Sequence, residues 1–176
     1  MTSLPSGFAQ FKMGEAHIAS LRRDFELLVP QVDLSRPAQV ERIVTHYKKK
    51  PGIYFWVMRY GVADDLYSIY IGKTNSLSYR VQNYVSEFQP HSPNDFKLRI
   101  FQAFLSEVAP TAALDLLFSP KPADQLTQSE NEAINAYNKP LLNRRQAATA
   151  EARLGLQSAF AQFYRSAFAS LSQNAC

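Results

Sequence analysis

The spacing of apolar residues changes along the first half of the chain, and each change predicts an element. Over residues 14–29 (GEAHIASLRRDFELLV), Ile18, Leu21, Phe25 and Leu28 recur at helical spacing, with Arg22, Arg23 and Glu26 on other faces. One amphipathic helix is expected there, stopped by Pro30. Ser35-Arg36-Pro37 then offers an N-cap and a first-turn proline for a second helix through Val40, Ile43, Val44 and Tyr47. From Gly52 the pattern turns β-rich. The runs GIYFWVM (52–58) and YSIYIG (67–72) flank a polar turn bearing glycine and aspartate, the signature of an antiparallel hairpin. If Tyr54 and Tyr70 point to the same face of adjacent strands, their phenols lie within reach of each other.

Helical spacing returns at residues 75–88 with Leu77, Val81, Tyr84, Val85 and Phe88, behind Asn75 and Ser76 as cap candidates. Arg80 and Tyr84 fall one turn apart on one face. Residues 89–95, with two prolines, read as a loop, 98–108 as a helix and 113–118 (ALDLLF) as a short buried strand. A further helix from Ala123 carries Leu126, Ala133, Ile134 and Tyr137 inward and ends before Lys139-Pro140, with Glu130 beside the apolar stripe rather than opposite it. The last segment, 144–172, has no proline and places Leu156, Phe160, Phe163, Ala167 and Leu171 on a stripe. Such a face must bury itself on its own domain or on a homodimer or other protein partner. The expected fold is α+β: a small mixed sheet of the hairpin and the Leu114–Phe118 strand, flanked by helices. Residues 1–50 and 144–176 are expected as helical extensions of a domain over 51–143.

Composition narrows the class. At 176 residues and 46% hydrophobic, the chain can bury a core without metal or disulfide staples. A net charge of +4 and a pI near 9.2 favour an anionic partner such as nucleic acid. The single cysteine, Cys176, excludes an intrachain disulfide and a cysteine-based zinc site. No apolar run approaches the roughly 20 residues that span a bilayer, and the first residues lack the order of a signal peptide. A soluble cytoplasmic protein is expected, with a secreted effector lacking a signal as the other reading. Lys48, Lys49 and Lys50 precede the hairpin, either as a solvated helix end or as a phosphate-facing patch. Gly72-Lys73-Thr74 is not the end of a P-loop, because that pattern requires glycine where the chain has Tyr67.

Taken in order, Gly52-Ile53-Tyr54, Tyr70-Ile71-Gly72-Lys73-Thr74, Arg80, Glu130, Pro140 and Asn143 resemble the landmarks of the GIY-YIG nuclease superfamily. The resemblance covers residues 51–143. It implies a sheet of the GIY-YIG type, a DNA endonuclease using one divalent ion, and 5′-phosphate and 3′-hydroxyl products. It also implies that one of the two motif tyrosines is the general base.

Phosphodiester hydrolysis needs an activated nucleophile, stabilised phosphoryl oxygens and help for the leaving oxygen. Glu130 is the candidate ligand for Mg²⁺, or Mn²⁺ in its place, since one carboxylate plus phosphate and waters suits that ion. Arg80 supplies a fixed positive fork for the scissile phosphate. Tyr54 and Tyr70 are candidates to orient or deprotonate water, but a phenol with a pKa near 10 is a poor base without a cation beside it. Lys73 is the nearest such charge in the sequence. Tyr84 stands where many relatives have histidine or tyrosine, leaving the base unassigned. Asn143 either holds a phosphate or caps the end of the domain, His91 reads as a solvent-exposed loop residue, and Gly52 and Gly72 allow close backbone approach. Two other readings stand beside the DNA nuclease: a catalytically inactive module of the same fold that binds DNA or a partner, and an RNA-acting enzyme.

Overall fold

The continuous apolar run that opens the hairpin is buried because strands cover both its edges and helices pack on both faces of the sheet. The computed structural model describes residues 4–33, 47, 49–85 and 93–143. Four strands form the sheet: β1 (Glu26–Val29), β2 (Gly52–Tyr60), β3 (Asp65–Thr74) and β4 (Ala113–Pro120), in the order β1-β4-β2-β3. The helices are α1 (Glu15–Asp24), α2 (Leu77–Val85), α3 (Pro93–Val108) and α4 (Leu126–Ala136), with 3-10 turns at Ser6–Phe11 and Ala123–Gln125. The architecture is α+β. The expected mixed sheet is corrected, since every ladder is antiparallel. Strand β4 lies on the far side of β2 and runs in the direction of β3, so β2 separates these two like-directed strands.

Alternation along the strands divides the interior in two. Tyr54, Trp56, Met58, Ile69, Leu114, Leu116 and Phe118 face α2 and α3, meeting Leu77, Val81, Tyr84, Leu98, Phe101 and Leu105. Ile53, Phe55, Val57, Ile71 and Leu117 face α1 and α4, meeting Leu21, Leu126, Ile134 and Tyr137. Truncating a ring such as Phe55 to alanine costs about 3–5 kcal/mol by transfer and cavity terms together.

The helix expected over 14–29 stops at Asp24, and its second half is β1. Phe25 turns extended (φ −130°, ψ 137°) and seats its ring against Phe55 and Tyr137, at 5.6 and 6.0 Å between centroids. Continuing the helix would draw Leu27 and Val29 off the β4 backbone, where they pair with Leu117 and Leu116. Tertiary pairing overrides a sequence that suits either form. The N-terminal residues are therefore more than a helical extension: Phe8 and Phe11 enter one core, Met13 and Leu21 the other, and β1 enters the sheet. Helix α3 begins at Pro93, inside the expected 89–95 loop, because proline suits a first helical position, whose N–H needs no partner. The helix expected through Val40 to Val44, Phe88, and the 144–172 segment lie outside the described residues. Among the described residues no helix is long and apolar enough to cross a membrane.

The outer edge of β3 is closed from Leu66 to Ile71. Met13 N–H donates to Leu66 O, Lys12 bridges to Tyr67, Leu141 N–H donates to Ser68 O and Leu142 N–H to Ile69 O. Asn143 completes the row with its side chain. Its Oδ1 accepts Ile71 N–H at 3.0 Å and its Nδ2 donates to Ile71 O at 2.7 Å, as a neighbouring strand would.

Candidate active site

The site grows from the pairing of β2 with β3. Tyr54 stands opposite Gly72 and Trp56 opposite Tyr70, while Val57 already pairs with Ser68, so Ile69 is an extra residue in β3. Its partner Trp56 places Tyr70 on the face that carries Tyr54, and the bulge brings Ile69 to that same face. The two phenol rings lie 6.0 Å apart, in the arrangement the hairpin pattern allows. Gly72 is where the arrangement depends on glycine: a Cβ there would collide with the hydroxyl and Cζ of Tyr54, whose ring lies across the glycine. Gly52 is equally constrained by the ring of Phe118 and the carbonyl of Ser119.

Helix α2 brings the third phenol and the cation. Thr74 and Ser76 organise its start, with Thr74 Oγ1 accepting from Ser76 N–H at 3.1 Å. One turn on, Arg80 and Tyr84 lie on the inner face, the guanidinium 4.8 Å from the centre of the Tyr84 ring. The hydroxyls of Tyr54 and Tyr84 are 2.9 Å apart, and Arg80 Nε–H is shared between them, at 3.1 and 3.0 Å. Tyr54 and Tyr84 are fully buried, whereas Arg80 and Tyr70 are partly exposed.

Burial is the largest cause of a pKa pushed well above the ordinary phenol value at Tyr54, Tyr70 and Tyr84, followed by the charge of a neighbouring phenol. The Arg80 guanidinium opposes the rise at all three, and the Glu130 carboxylate adds to it at Tyr70. The cluster is therefore three neutral phenols around one guanidinium. The expected part for Lys73, favouring a phenolate, is corrected. Lys73 follows Gly72 and projects from the opposite side of β3, where its Nζ meets Thr127 Oγ1 at 2.9 Å and Glu130 Oε2 at 3.1 Å on α4.

Asn143 is corrected as a phosphate ligand. It is buried and its amide is spent on the backbone of Ile71, between Tyr70 and Gly72, so it holds the strand that carries the site. Of the basic run, Lys48 lies outside the described residues, as does His91. Lys49 is exposed, and the Lys50 ammonium sits 5.1 Å from the Tyr47 ring centroid. These lysines precede Gly52, which pairs with both Thr74 and Pro120. They therefore share one end of the sheet with Lys73 and with Lys121, whose N–H bonds Pro51 O. No motif in the sequence marks Lys121; Thr127 lies three residues before Glu130, a spacing that places both on one face of α4.

Glu130 is largely buried, with its side chain 18% exposed. Among the described residues no group of three histidine, cysteine, aspartate or glutamate side chains converges. A single carboxylate fits Mg²⁺, which keeps most of its waters and takes its remaining ligands from a phosphate. No protein-family model, curated protein or solved structure matches this chain.

Proposed function

We propose that the protein is a Mg²⁺-dependent DNA endonuclease of the GIY-YIG type. The observation that carries this reading is the buried cluster of Tyr54 and Tyr84 locked onto Arg80 Nε, with Tyr70 and Glu130 beside it. Aromatic residues serving only as core would not be built around a guanidinium, whose burial costs free energy unless hydrogen bonds offset it.

The roles follow from exposure and protonation. Tyr54 and Tyr84 hold the guanidinium in one orientation, so that Arg80 meets the scissile phosphate as a fixed positive charge and stabilises the charge that develops on it. Tyr70 is the phenol of the three open to solvent, and it is the one placed to hydrogen-bond the attacking water. With its pKa raised it meets that water as a neutral phenol, and it becomes a base only when cations at the site bring its pKa down. A divalent ion at Glu130 supplies Lewis-acid stabilisation of the phosphoryl oxygens and of the leaving oxygen. Lys49, Lys50 and Lys121, at the same end of the sheet, supply the salt-sensitive attraction to the phosphate backbone.

Purified protein is expected to nick or linearise supercoiled plasmid in Mg²⁺ or Mn²⁺ and not in EDTA. Glu130→Ala is expected to abolish cutting and keep the far-ultraviolet circular dichroism of the wild type. Cleavage in EDTA, or by Glu130→Ala at the wild-type rate, would sink the mechanism. DNA binding with no cleavage under any metal would instead identify an inactive binding module.

A further inference from the structure

Glu130 already has a cation. Lys73 reaches from the end of β3 to α4, where Thr127 and Glu130 lie one turn apart, and its ammonium is divided between Thr127 Oγ1 at 2.9 Å and Glu130 Oε2 at 3.1 Å. The carboxylate is the more buried partner, at 18% exposed against 35% for the lysine. We propose that Lys73 is the resident counter-ion of Glu130, competing with the divalent ion for the carboxylate, and that Thr127 is the acceptor that keeps the ammonium when the ion enters. This rests on the reading of Glu130 as the metal ligand.

The chemistry of the groups supports an exchange of cations. A carboxylate that is largely buried favours a paired cation. Lysine is a compact charge on a flexible stem and can turn about its terminal bonds, whereas an arginine fork would close on both carboxylate oxygens and stay. The threonine hydroxyl gives the displaced ammonium a hydrogen bond without a charge, so the lysine need not leave the site. Two cations near one carboxylate repel each other, so Lys73 weakens divalent binding in the absence of DNA. A phosphate arriving at the site brings the negative charge that allows both cations to stay. Loading of the ion is thereby coupled to substrate.

The test is Mn²⁺ binding without DNA, followed by the electron paramagnetic resonance signal of free Mn²⁺, for wild type, Lys73→Met, Lys73→Gln, Thr127→Val and Glu130→Gln. Both lysine variants are expected to bind about tenfold more tightly than wild type, equivalent to about 1.4 kcal/mol. Thr127→Val is expected to bind more weakly, because the displaced ammonium loses its acceptor. Glu130→Gln is expected to remove the site. Lysine variants that bind no more tightly than wild type, with binding still dependent on Glu130, would overturn the counter-ion proposal and leave the metal reading standing. An absence of Glu130-dependent binding in every variant would overturn both. Thermal melts by circular dichroism establish that each variant is folded.

Discussion

Gly72→Ala places one methyl group where the Tyr54 phenol now lies. The added carbon would overlap the hydroxyl and Cζ of Tyr54, and it would lie 2.9 Å from Cε2. A flexible side chain could swing away, but this ring is 2% exposed and packed against the rings of Tyr70 and Tyr84, at 6.0 and 6.2 Å between centroids. Overpacking of this kind costs about 1–3 kcal/mol. Displacing the hydroxyl also breaks its contacts with Tyr84 and Arg80, each worth on the order of 1 kcal/mol. The sum is about 3–5 kcal/mol, which for a chain of this length lowers Tm by roughly 6–20 °C. Urea unfolding followed by circular dichroism measures it. A double-mutant cycle with Tyr54→Leu, whose shorter side chain vacates the space, isolates the cause. The double variant is expected to recover at least about 1 kcal/mol of the summed single losses and none of the plasmid cleavage. A Gly72→Ala protein within about 0.5 kcal/mol of wild type, or losses that simply add, would refute the claim that Gly72 exists to let Tyr54 pass.

Two further outcomes are expected. Asn143→Ala leaves both the N–H and the carbonyl of Ile71 unpaired in a buried setting, at about 1–3 kcal/mol for each unsatisfied group. The loss should appear in urea unfolding together with faster hydrogen exchange at the Ile71 amide, and unchanged exchange there would contradict the assigned role. At alkaline pH, Tyr54, Tyr70 and Tyr84 hold their protons above the ordinary phenol range, and burial pushes Tyr137 up to about 12. The unfolded chain releases these protons near pH 10, so the folded state binds more of them above that point. Stability should be intact below about pH 10 and fall as pH rises toward the folded values. The near-ultraviolet phenolate band of these residues should therefore appear with unfolding rather than before it.

Much of the scaffold is legible in the residues. The hairpin, the ALDLLF strand and the helix carrying Glu130 are long, strongly patterned segments, and all are present within a few residues of their expected bounds. Tyr54, Tyr70, Arg80 and Tyr84 could be brought to one place because periods of two and of four residues carry them there. The remainder depends on partners remote in the chain. Residues 26–29 suit a helix as well as a strand, and only β4 decides between them. The bulge at Ile69 leaves no composition signal, yet without it Tyr70 and Ile69 would face opposite sides. Lys73 stands next to Gly72 in sequence, and strand alternation sends it away from the tyrosines to α4. Asn143 has a side chain that can serve a phosphate or a backbone equally well, and Ile71 claims it.

The closed edge of β3 bears on when the tyrosine–arginine cluster takes shape during synthesis. Lys12 and Met13 at one end of the chain, and Leu141 to Asn143 near the other, clamp the same strand. A ribosome that has made α2 has already made Tyr54, Tyr70 and Arg80, but the strand that aligns them stays unfastened until residue 143 has left the exit tunnel. A nascent or prematurely ended chain then carries the reactive side chains without the alignment that makes them a site.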